Sequence, residues 1–317
     1  MRYAELGGAG GPRVSALCLG ALPFGTTVDE TTAREILDRF VEAGGTFIDT
    51  SNNYACWVEG ATGHESELVL GRWLADRGLR DQVVLATKIG ARPDAARPGG
   101  REGLAARTVR AGIEGSLRRL GTDAVDLYYA HIVDPGTPLE ETVAAFSALV
   151  TEGRAGMLGC SNHPVEVLRR ARSLAASEGL VPYRVVQQRH TYLRPRPGTG
   201  FGVQEYVTGD LLDYVADQPD LSLLGYSILL NGAYTRPDRP FPEQYDRPDA
   251  ARRLAVLHEV AAETGATPNQ VVLSWLLNGE PPIMPILGVS SVRQLQECLA
   301  AVDLKLDPAL CKRLDKA

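Results

Sequence analysis

The sequence lacks the features that would place it in several common classes of protein. Its 317 residues contain no run of 18 apolar residues, so we expect no membrane-spanning helix. The opening "MRYAELGGAG" has no apolar segment typical of a secretory signal, and we expect none. Acids outnumber bases, and the formal net charge of −6 argues against nucleic acid as a main partner and against a basic membrane anchor.

Cysteine and histidine are sparse, and neither forms a recognisable metal or redox motif. The five cysteines include no C-x-x-C pair and are odd in number, which favours reduced thiols in a cytoplasmic protein. The five histidines are scattered and show no H-E-x-x-H pattern, so no metal site is predicted. We also find no hydrolase-type nucleophile with an adjacent base. The cysteines are Cys18, Cys56, Cys160, Cys298 and Cys311.

A dinucleotide-binding glycine motif is missing as well. A doubly wound nucleotide-binding domain needs G-x-G-x-x-G after its first strand. The glycine run at 7–11 has a different spacing and precedes the first good strand, so it is interpreted as an N-terminal turn.

Helix and strand signals alternate from end to end. Residues 29–44 have apolar side chains at helical spacing, with Asp29 as the expected N-cap and Gly44 as the stop. The segments at 137–140 and 267–270 each read Thr-Pro-x-Glu or Thr-Pro-x-Gln, and we predict a capping box in both. Residues 204–217 are also predicted to be helical.

Eight apolar strand signals, mostly separated by amphipathic helices, favour a parallel sheet covered by helices. Over about 300 residues this pattern predicts a single-domain (β/α)₈ TIM barrel spanning 1–317, with no composition break. Two long, proline-rich connections, 193–204 and 231–250, are predicted to be either functional loops or disordered segments.

Polar side chains follow almost every predicted strand. In a (β/α)₈ barrel these C-terminal strand ends meet on one face, where the active site lies. One such residue is weak evidence, because a single lysine or histidine there is usually structural, but many converging on one face indicate a site. The strand-end positions are Asp49, Lys88, His131, Ser161, Asn162, Gln187, Tyr226, Ser227, and Gly288 with the polar Ser290 that follows it.

Three of these residues, Asp49, Lys88 and His131, can form one cluster with Tyr54 for proton transfer. Tyr54 follows Asp49 by five residues, and a tyrosine has an ordinary pKa of about 10. The ammonium group of Lys88 would lower that pKa, and Asp49 would balance the buried ammonium. A neutral His131 can orient a carbonyl oxygen or the tyrosine hydroxyl. The expected outcome is an acid aimed at a substrate carbonyl.

The ordered set of motifs resembles the aldo-keto reductase family over essentially the whole chain. The opening "LGGAGGPRVSALCLGALPFG" is similar to that family's N-terminal β-hairpin and first strand. The segments "FIDTSNNY", "ATKIG", "DLYYAH", "GCSN", "VVQQ", "GYSILLNG" and "PILGVSSVRQLQE" follow in the family's order. The resemblance implies that Asp49, Tyr54, Lys88 and His131 form the catalytic tetrad. Tyr54 would act as the acid in reduction, and His131 would polarise and orient the carbonyl.

The resemblance also implies a nicotinamide cofactor across the barrel mouth. Ser161, Asn162 and Gln187 would contact its carboxamide, and Tyr226 would stack on its ring. Ser227 and Leu229 would approach the pyrophosphate. The adenosine end would lie along 288–298, with contacts from Gly288, Ser290, Arg293, Gln294 and Glu297.

Some positions depart from the family pattern. Ile228 and Leu287 stand where proline is frequent, and Cys298 stands where an asparagine often lies near the adenine. Gln294 replaces an arginine that often holds the 2′-phosphate, although Arg293 lies beside it. An amide suits a phosphate less well than a guanidinium does. NADP(H) remains the first expectation from the resemblance, and Gln294 leaves NAD(H) open. Arg293 would either hold the 2′-phosphate or be an ordinary solvated charge on a helix.

Three functions remain open from the sequence. The first is NADP(H)-dependent reduction of an aldehyde or ketone to the alcohol. The second is a cofactor-binding regulatory subunit on the same fold, and the third is a barrel lyase or isomerase, which leaves the ordered motifs unexplained. Trp57, just after Tyr54, is either a wall of the substrate pocket or a residue packed under its own loop.

Overall fold

Eight parallel strands close into a barrel, and an N-terminal hairpin precedes it. The computed structural model describes residues 1–97 and 100–317. The hairpin pairs β1 (Tyr3–Glu5) with β2 (Arg13–Ser15) in antiparallel register. The barrel strands are β3 (Cys18–Gly20), β4 (Phe47–Asp49), β5 (Val84–Ile89), β6 (Val125–Ala130), β7 (Ala155–Ser161), β8 (Tyr183–Arg189), β9 (Ser222–Tyr226) and β10 (Ile283–Gly288). They pair in chain order, and β10 closes onto β3, which confirms the predicted (β/α)₈ fold.

Helices lie between the strands and surround the barrel. They are α1 (Glu30–Glu42), α2 (Glu65–Arg77), α3 (Ala106–Leu120), α4 (Leu139–Thr151), α5 (Val165–Ser177), α6 (Gly209–Ala216), α7 (Ala250–Thr264), α8 (Pro268–Leu277), α9 (Val292–Ala300) and α10 (Pro308–Lys316). In the described parts of the chain, no helix is long and apolar enough to cross a membrane.

The strands separate two apolar clusters because successive side chains point to opposite faces. Ile48 and Leu85 join the large outer cluster between strands and helices. Phe47 and Ala86 join a smaller cluster inside the barrel. This alternation fixes which strand-end residues face the barrel interior.

The hairpin covers one end of the barrel. Leu6 and Val14 are fully buried and pack on the inner cluster. Gly7 and Gly8, in the turn between β1 and β2, have φ of 73° and 82°. A Cβ on Gly8 would lie 2.1 Å from the Pro219 carbonyl oxygen, so the close approach requires glycine. The run at 7–11 is therefore an N-terminal turn, as predicted.

Two of the predicted helix starts are confirmed. The Asp29 carboxylate accepts from Thr32 N at 3.0 Å, and Gly44 follows the end of α1 with φ of 84°. At α8, Thr267 Oγ1 accepts from Gln270 N, and Gln270 Oε1 accepts from Thr267 N, which completes the capping box.

The prediction of a capping box at 137–140 is wrong. Helix α4 starts one residue later, with Pro138 as its N-cap and no side-chain cap. Thr137 instead donates its hydroxyl to Asp134 Oδ2 at 2.7 Å. Asp134 also accepts from Gly136 N and Leu104 N, so a competing carboxylate organises this turn.

The helix predicted over 204–217 is shorter than expected. It begins at Gly209, and the Thr208 hydroxyl caps it by accepting from Leu211 N at 3.2 Å. Tyr206, ahead of it, forms a bridge with Arg189 at the end of β8, which keeps this part extended.

The two long loops pack against each other. Arg196 N donates to Gln244 O at 2.7 Å, and the Arg196 guanidinium pairs with Glu243 at 2.9 Å. The rings of Phe201 and Tyr245 lie 5.9 Å apart. Loops 193–204 and 231–250 therefore form one structured unit.

Candidate active site

Asp49 and Lys88 meet inside the barrel at the C-terminal ends of neighbouring strands. Asp49 lies two residues after Phe47, and Lys88 two residues after Ala86, so strand alternation points both side chains inward. Both are fully buried, and Lys88 Nζ lies 2.5 Å from Asp49 Oδ2. Lys88 also donates to the Thr50 carbonyl at 2.8 Å.

Tyr54 completes a compact triangle with these two residues. Its hydroxyl accepts from Lys88 Nζ at 2.6 Å and donates to Asp49 Oδ2 at 2.6 Å. The loop after β4 delivers it there, and the next residue, Ala55, has φ of 58°. The structure thus brings together Asp49 and Lys88 from two strand ends and Tyr54 from the loop after β4, as predicted.

The pKa of Tyr54 does not shift in the direction that was expected. Burial, followed by the negative charge of Asp49, raises the pKa of Tyr54 well above its ordinary value. The ammonium group of Lys88 alone would lower this pKa, but burial and Asp49 outweigh it. Burial also lowers the pKa of Lys88, although Asp49 opposes that shift. Tyr54 is therefore held in its protonated form.

Gln187 is bound to the same cluster. Its side chain points inward from β8, and Nε2 donates to Asp49 Oδ1 at 3.0 Å. With Lys88 and Tyr54 on Oδ2, both oxygens of the buried Asp49 carboxylate are satisfied. Gln187 was predicted to contact a cofactor carboxamide, and the structure adds a second role in holding Asp49.

His131 follows β6 and lies beside Tyr54. The two ring centroids are 6.2 Å apart and the rings meet edge to face. Burial and the Lys88 charge lower the pKa of His131 well below its ordinary value, so the imidazole is neutral at pH 7. Its Nδ1 lies 3.1 Å from Ser51 Oγ, a contact that the sequence interpretation missed.

Ser161, Asn162 and Tyr226 form a second polar cluster at the same mouth. Asn162 has φ of 57°, and its Nδ2 donates to Ser161 Oγ at 3.1 Å and to His131 O at 2.9 Å. Its Oδ1 accepts from the Tyr226 hydroxyl at 2.7 Å. The amide therefore links the ends of β6, β7 and β9, a role that asparagine fulfils with both a donor and an acceptor.

Arg189 ties the Ser227 turn to the long loops, and sequence reasoning missed it. Its guanidinium donates to Ser227 Oγ at 3.3 Å, Gln204 Oε1 at 3.0 Å and Tyr245 OH at 3.0 Å. Ser227 has φ of 57°, and Leu229, two residues on, is partly buried. The only sequence signal was a charged residue at the end of an apolar strand.

The 288–298 segment is partly exposed, as a predicted adenosine site requires. Gly288, Ser290 and Arg293 are exposed, and Arg293 forms no ion pair with the residues that the structure describes. Gln294 Oε1 accepts from Ser290 N at 2.7 Å and from Ser290 Oγ at 3.0 Å. Glu297 accepts from Thr267 and Asn269 at the start of α8, and its predicted adenosine contact stays a prediction.

Trp57 does not pack under its own loop. Its side chain is 67% exposed, more than the other large apolar side chains in the described ranges. A role as a wall of the substrate pocket stays a prediction.

Cys160 is buried, and burial raises the pKa of its thiol, consistent with an inert side chain. No group of three or more potential metal ligands occurs in residues 1–97 and 100–317.

Comparison with known proteins agrees with this fold. The Aldo/keto reductase family model matches residues 16–317. The chain belongs to this family. The aldo-keto reductase assignment accounts for the barrel, the hairpin and the order of the strand-end motifs.

Several relatives of this aldo-keto reductase are named as oxidoreductases. It is 33% identical to the uncharacterized oxidoreductase YrpG of Bacillus subtilis, over 99% of this chain and 95% of the relative. It is 31% identical to norsolorinic acid reductase B of Aspergillus parasiticus, over 96% and 81% of the two chains. The crystal structure of the thermostable aldo-keto reductase Tm1743 with the inhibitor epalrestat aligns with a TM-score of 0.78 at 27% identity, covering 100% of this chain and 99% of that chain. These findings support an oxidoreductase.

Proposed function

We propose that the protein reduces an aldehyde or ketone to the alcohol, reversibly, with NADP(H) as cofactor. The observation that carries the proposal is the triangle of Tyr54 OH, Lys88 Nζ and Asp49 Oδ2, with sides of 2.5 to 2.6 Å. A buried tyrosine beside an ammonium group can give up its proton to a developing alkoxide.

The proton step belongs to Tyr54 and its two partners. The Tyr54 hydroxyl donates to Asp49 in the structure, so it must rotate its O–H toward the carbonyl oxygen to protonate it. The phenolate left behind would keep its hydrogen bond from Lys88 Nζ, which lies 2.6 Å away. Asp49, also held by Gln187, keeps the buried ammonium in place. His131 would orient the substrate.

A group of uncharged polar side chains at the barrel mouth fits a nicotinamide. Ser161, Asn162 and Gln187 supply a hydroxyl and two amides, the groups that pair with a carboxamide. The Tyr226 ring is partly exposed while Asn162 anchors its hydroxyl, so a ring face can be offered for stacking. Reduced nicotinamide, when bound, supplies the hydride.

The predicted adenosine segment, 288–298, fits a phosphate less completely. Arg293 is exposed and without an ion pair in the described chain, so it is available for a 2′-phosphate. The side-chain oxygen of Gln294 instead accepts hydrogen bonds from Ser290, within the predicted adenosine segment. Gly288, Ser227 and Leu229 would line the remaining path of the cofactor. We propose NADP(H) as the preferred cofactor, with Arg293 supplying the preference.

Aromatic carbonyl compounds are the first substrates to consider. One relative, 27% identical over 99% of this chain, is named aryl-alcohol dehydrogenase GME11368 of Pestalotiopsis microspora. Trp57 is exposed and follows Tyr54 by three residues, so it can offer an aromatic surface to such a substrate.

The proposal is tested by following the absorbance of NADPH and NADH over a panel of aliphatic and aromatic aldehydes and ketones. We expect turnover with NADPH, slower turnover with NADH, and a smaller difference between the two in Arg293→Ala. Tight cofactor binding without turnover of any carbonyl would overturn the proposal and favour a regulatory subunit. No cofactor binding would favour the lyase or isomerase alternative.

A further inference from the structure

A small cavity lies outside the active site, between α4, α5 and the loop after β6. Its volume is about 200 Å³. This is room for roughly six or seven water molecules and too little for a ligand the size of a cofactor. Leu104, Val133, Leu139 and Val167 give it apolar walls. A single six-membered ring fits such a space.

Most polar side chains in this cavity already have partners within the protein. The Asp134 carboxylate accepts from two backbone N–H groups and from the Thr137 hydroxyl at 2.7 to 2.9 Å. The Thr142 hydroxyl donates to the Leu104 carbonyl oxygen at 3.3 Å. Asp134 and Arg170, the two charged side chains that line the cavity, are of opposite sign. An uncharged ligand is therefore favoured over an ion.

His163 is the exception, because one of its ring nitrogens has no partner. The residue is 2% exposed, and its Nδ1 donates to the Ser161 carbonyl oxygen at 2.8 Å, since a carbonyl can only accept. Burial lowers the pKa of His163 to about 4, so the ring is neutral at pH 7 and Nε2 is an acceptor.

The open side of this ring is the cavity. No residue in the described ranges makes a hydrogen bond to His163 Nε2. This nitrogen is also not among the fully enclosed atoms that lack a partner, so it has accessible space beside it, and His163 lines the cavity. A buried acceptor facing open space is a place where the hydroxyl of a ligand can bind.

We propose that this cavity is a binding site for a small uncharged phenol, whose hydroxyl donates to His163 Nε2 while its ring packs against the apolar walls. Water would satisfy Nε2 but not those walls, whereas a phenol satisfies both. A phenolic hydroxyl is also a stronger donor than an aliphatic one. The site shares no lining residue with the triangle of Asp49, Tyr54 and Lys88.

Binding is measured by ¹⁹F nuclear magnetic resonance on the full-length protein, with 4-fluorophenol as the probe. Fluorobenzene is the matched ligand without a hydroxyl. We expect 4-fluorophenol to bind with a Kd about tenfold lower, because the hydrogen bond to His163 Nε2 is then made. No saturable binding of 4-fluorophenol, or equal affinity for the two compounds, would overturn the proposal.

Two substitutions that fill the cavity locate the bound phenol. Val167→Phe on α5 and Leu139→Phe on α4 each place a larger side chain in a cavity wall, and we expect each to weaken 4-fluorophenol binding at least about tenfold. Leu68→Phe is the control, because Leu68 is an exposed apolar residue of α2 outside the cavity, and it should bind as the wild type does. Unchanged affinity in both filling variants, each shown to be folded by circular dichroism, would place the phenol elsewhere and reject the site.

The contact with His163 is tested by His163→Asn. The shorter amide can still donate to the Ser161 carbonyl but has no group at the Nε2 position, so we expect the preference for 4-fluorophenol over fluorobenzene to be lost. In wild-type protein carrying ¹⁵N-labelled histidine, 4-fluorophenol should shift the Nε2 signal of His163, which is assigned by its absence in His163→Asn. A preference kept in this variant, or an unmoved signal at saturation, would contradict the assigned contact.

Discussion

At the scale of single residues, the site depends on keeping a charged lysine and a carboxylate buried together. Lys88 and Asp49 are fully buried, and each compensates for the other's loss of water. Tyr54 joins them through two hydrogen bonds of 2.6 Å. The same burial that raises the pKa of Tyr54 keeps its proton available for transfer.

Removing the Tyr54 hydroxyl tests the proton step. We expect Tyr54→Phe to lower kcat for carbonyl reduction about 10²–10⁴-fold, because the acid is lost, while cofactor binding is retained. Tyr128→Phe is the matched control: Tyr128 lies on β6 in the outer cluster, and its buried hydroxyl has no partner among the described residues. Steady-state kinetics decide, and full activity in Tyr54→Phe would reject the assigned acid.

Breaking the buried ion pair tests its energetic role. We expect Lys88→Met to lower the free energy of unfolding by about 3–5 kcal/mol, because Asp49 is left as a buried, uncompensated charge. Adding Asp49→Asn should restore much of the stability, since neither charge then remains, but not the activity. Urea titration measures this, and a double variant no more stable than Lys88→Met would contradict the explanation.

At the scale of elements, strand alternation places the site and local caps set the helices around it. Asp49, Lys88 and Gln187 face inward because each follows an inward residue by two positions. The α8 capping box does more than start a helix. Thr267 Oγ1 also donates to Glu297 Oε1 at 2.8 Å, which ties the start of α8 to α9.

Because of this extra contact, we expect removal of the Thr267 side chain to cost more stability than the loss of an ordinary helix cap. We expect Thr267→Ala to lower the free energy of unfolding by about 1–2 kcal/mol, near the upper end for an N-cap. Thr208→Ala is the control, because Thr208 caps α6 through one bond of 3.2 Å to Leu211 N. Urea unfolding compares the two, and an equal loss at both sites would show that the link to Glu297 contributes nothing.

At the scale of the whole molecule, buried neutral histidine links stability to pH. His163 is 2% exposed, and burial lowers its pKa from 6.5 to about 4. As pH falls through 6.5 the unfolded chain gains a proton that the folded protein does not. The folded state therefore loses stability between pH 6.5 and 4, by at most about 3 kcal/mol from this residue.

A substitution isolates that contribution. We expect His163→Gln to make the free energy of unfolding less dependent on pH between 6.5 and 4, as measured by urea titration at several pH values. His258→Gln, at an exposed position on α7, serves as the control and should keep the wild-type slope. If both variants show the wild-type slope, acid sensitivity resides elsewhere.

Local sequence signals predicted much of this molecule correctly. The period of the apolar residues indicated the alternating strands and helices, and the positions of Asp49, Lys88 and His131 after three strands indicated where they meet. The prediction at Thr137 failed because Asp134, three residues away, competes for its hydroxyl. Short-range patterns do not show which of two nearby polar partners wins.

The sequence alone determined the barrel, the order of its strands and the placement of Asp49, Lys88 and His131 at strand ends, because these follow from periodicity. Only the tertiary structure decided the direction of the Tyr54 pKa shift, the role of Arg189 and the contact between Ser51 and His131. Each depends on burial or on distances between residues far apart in the chain, and these exist only once the barrel has closed.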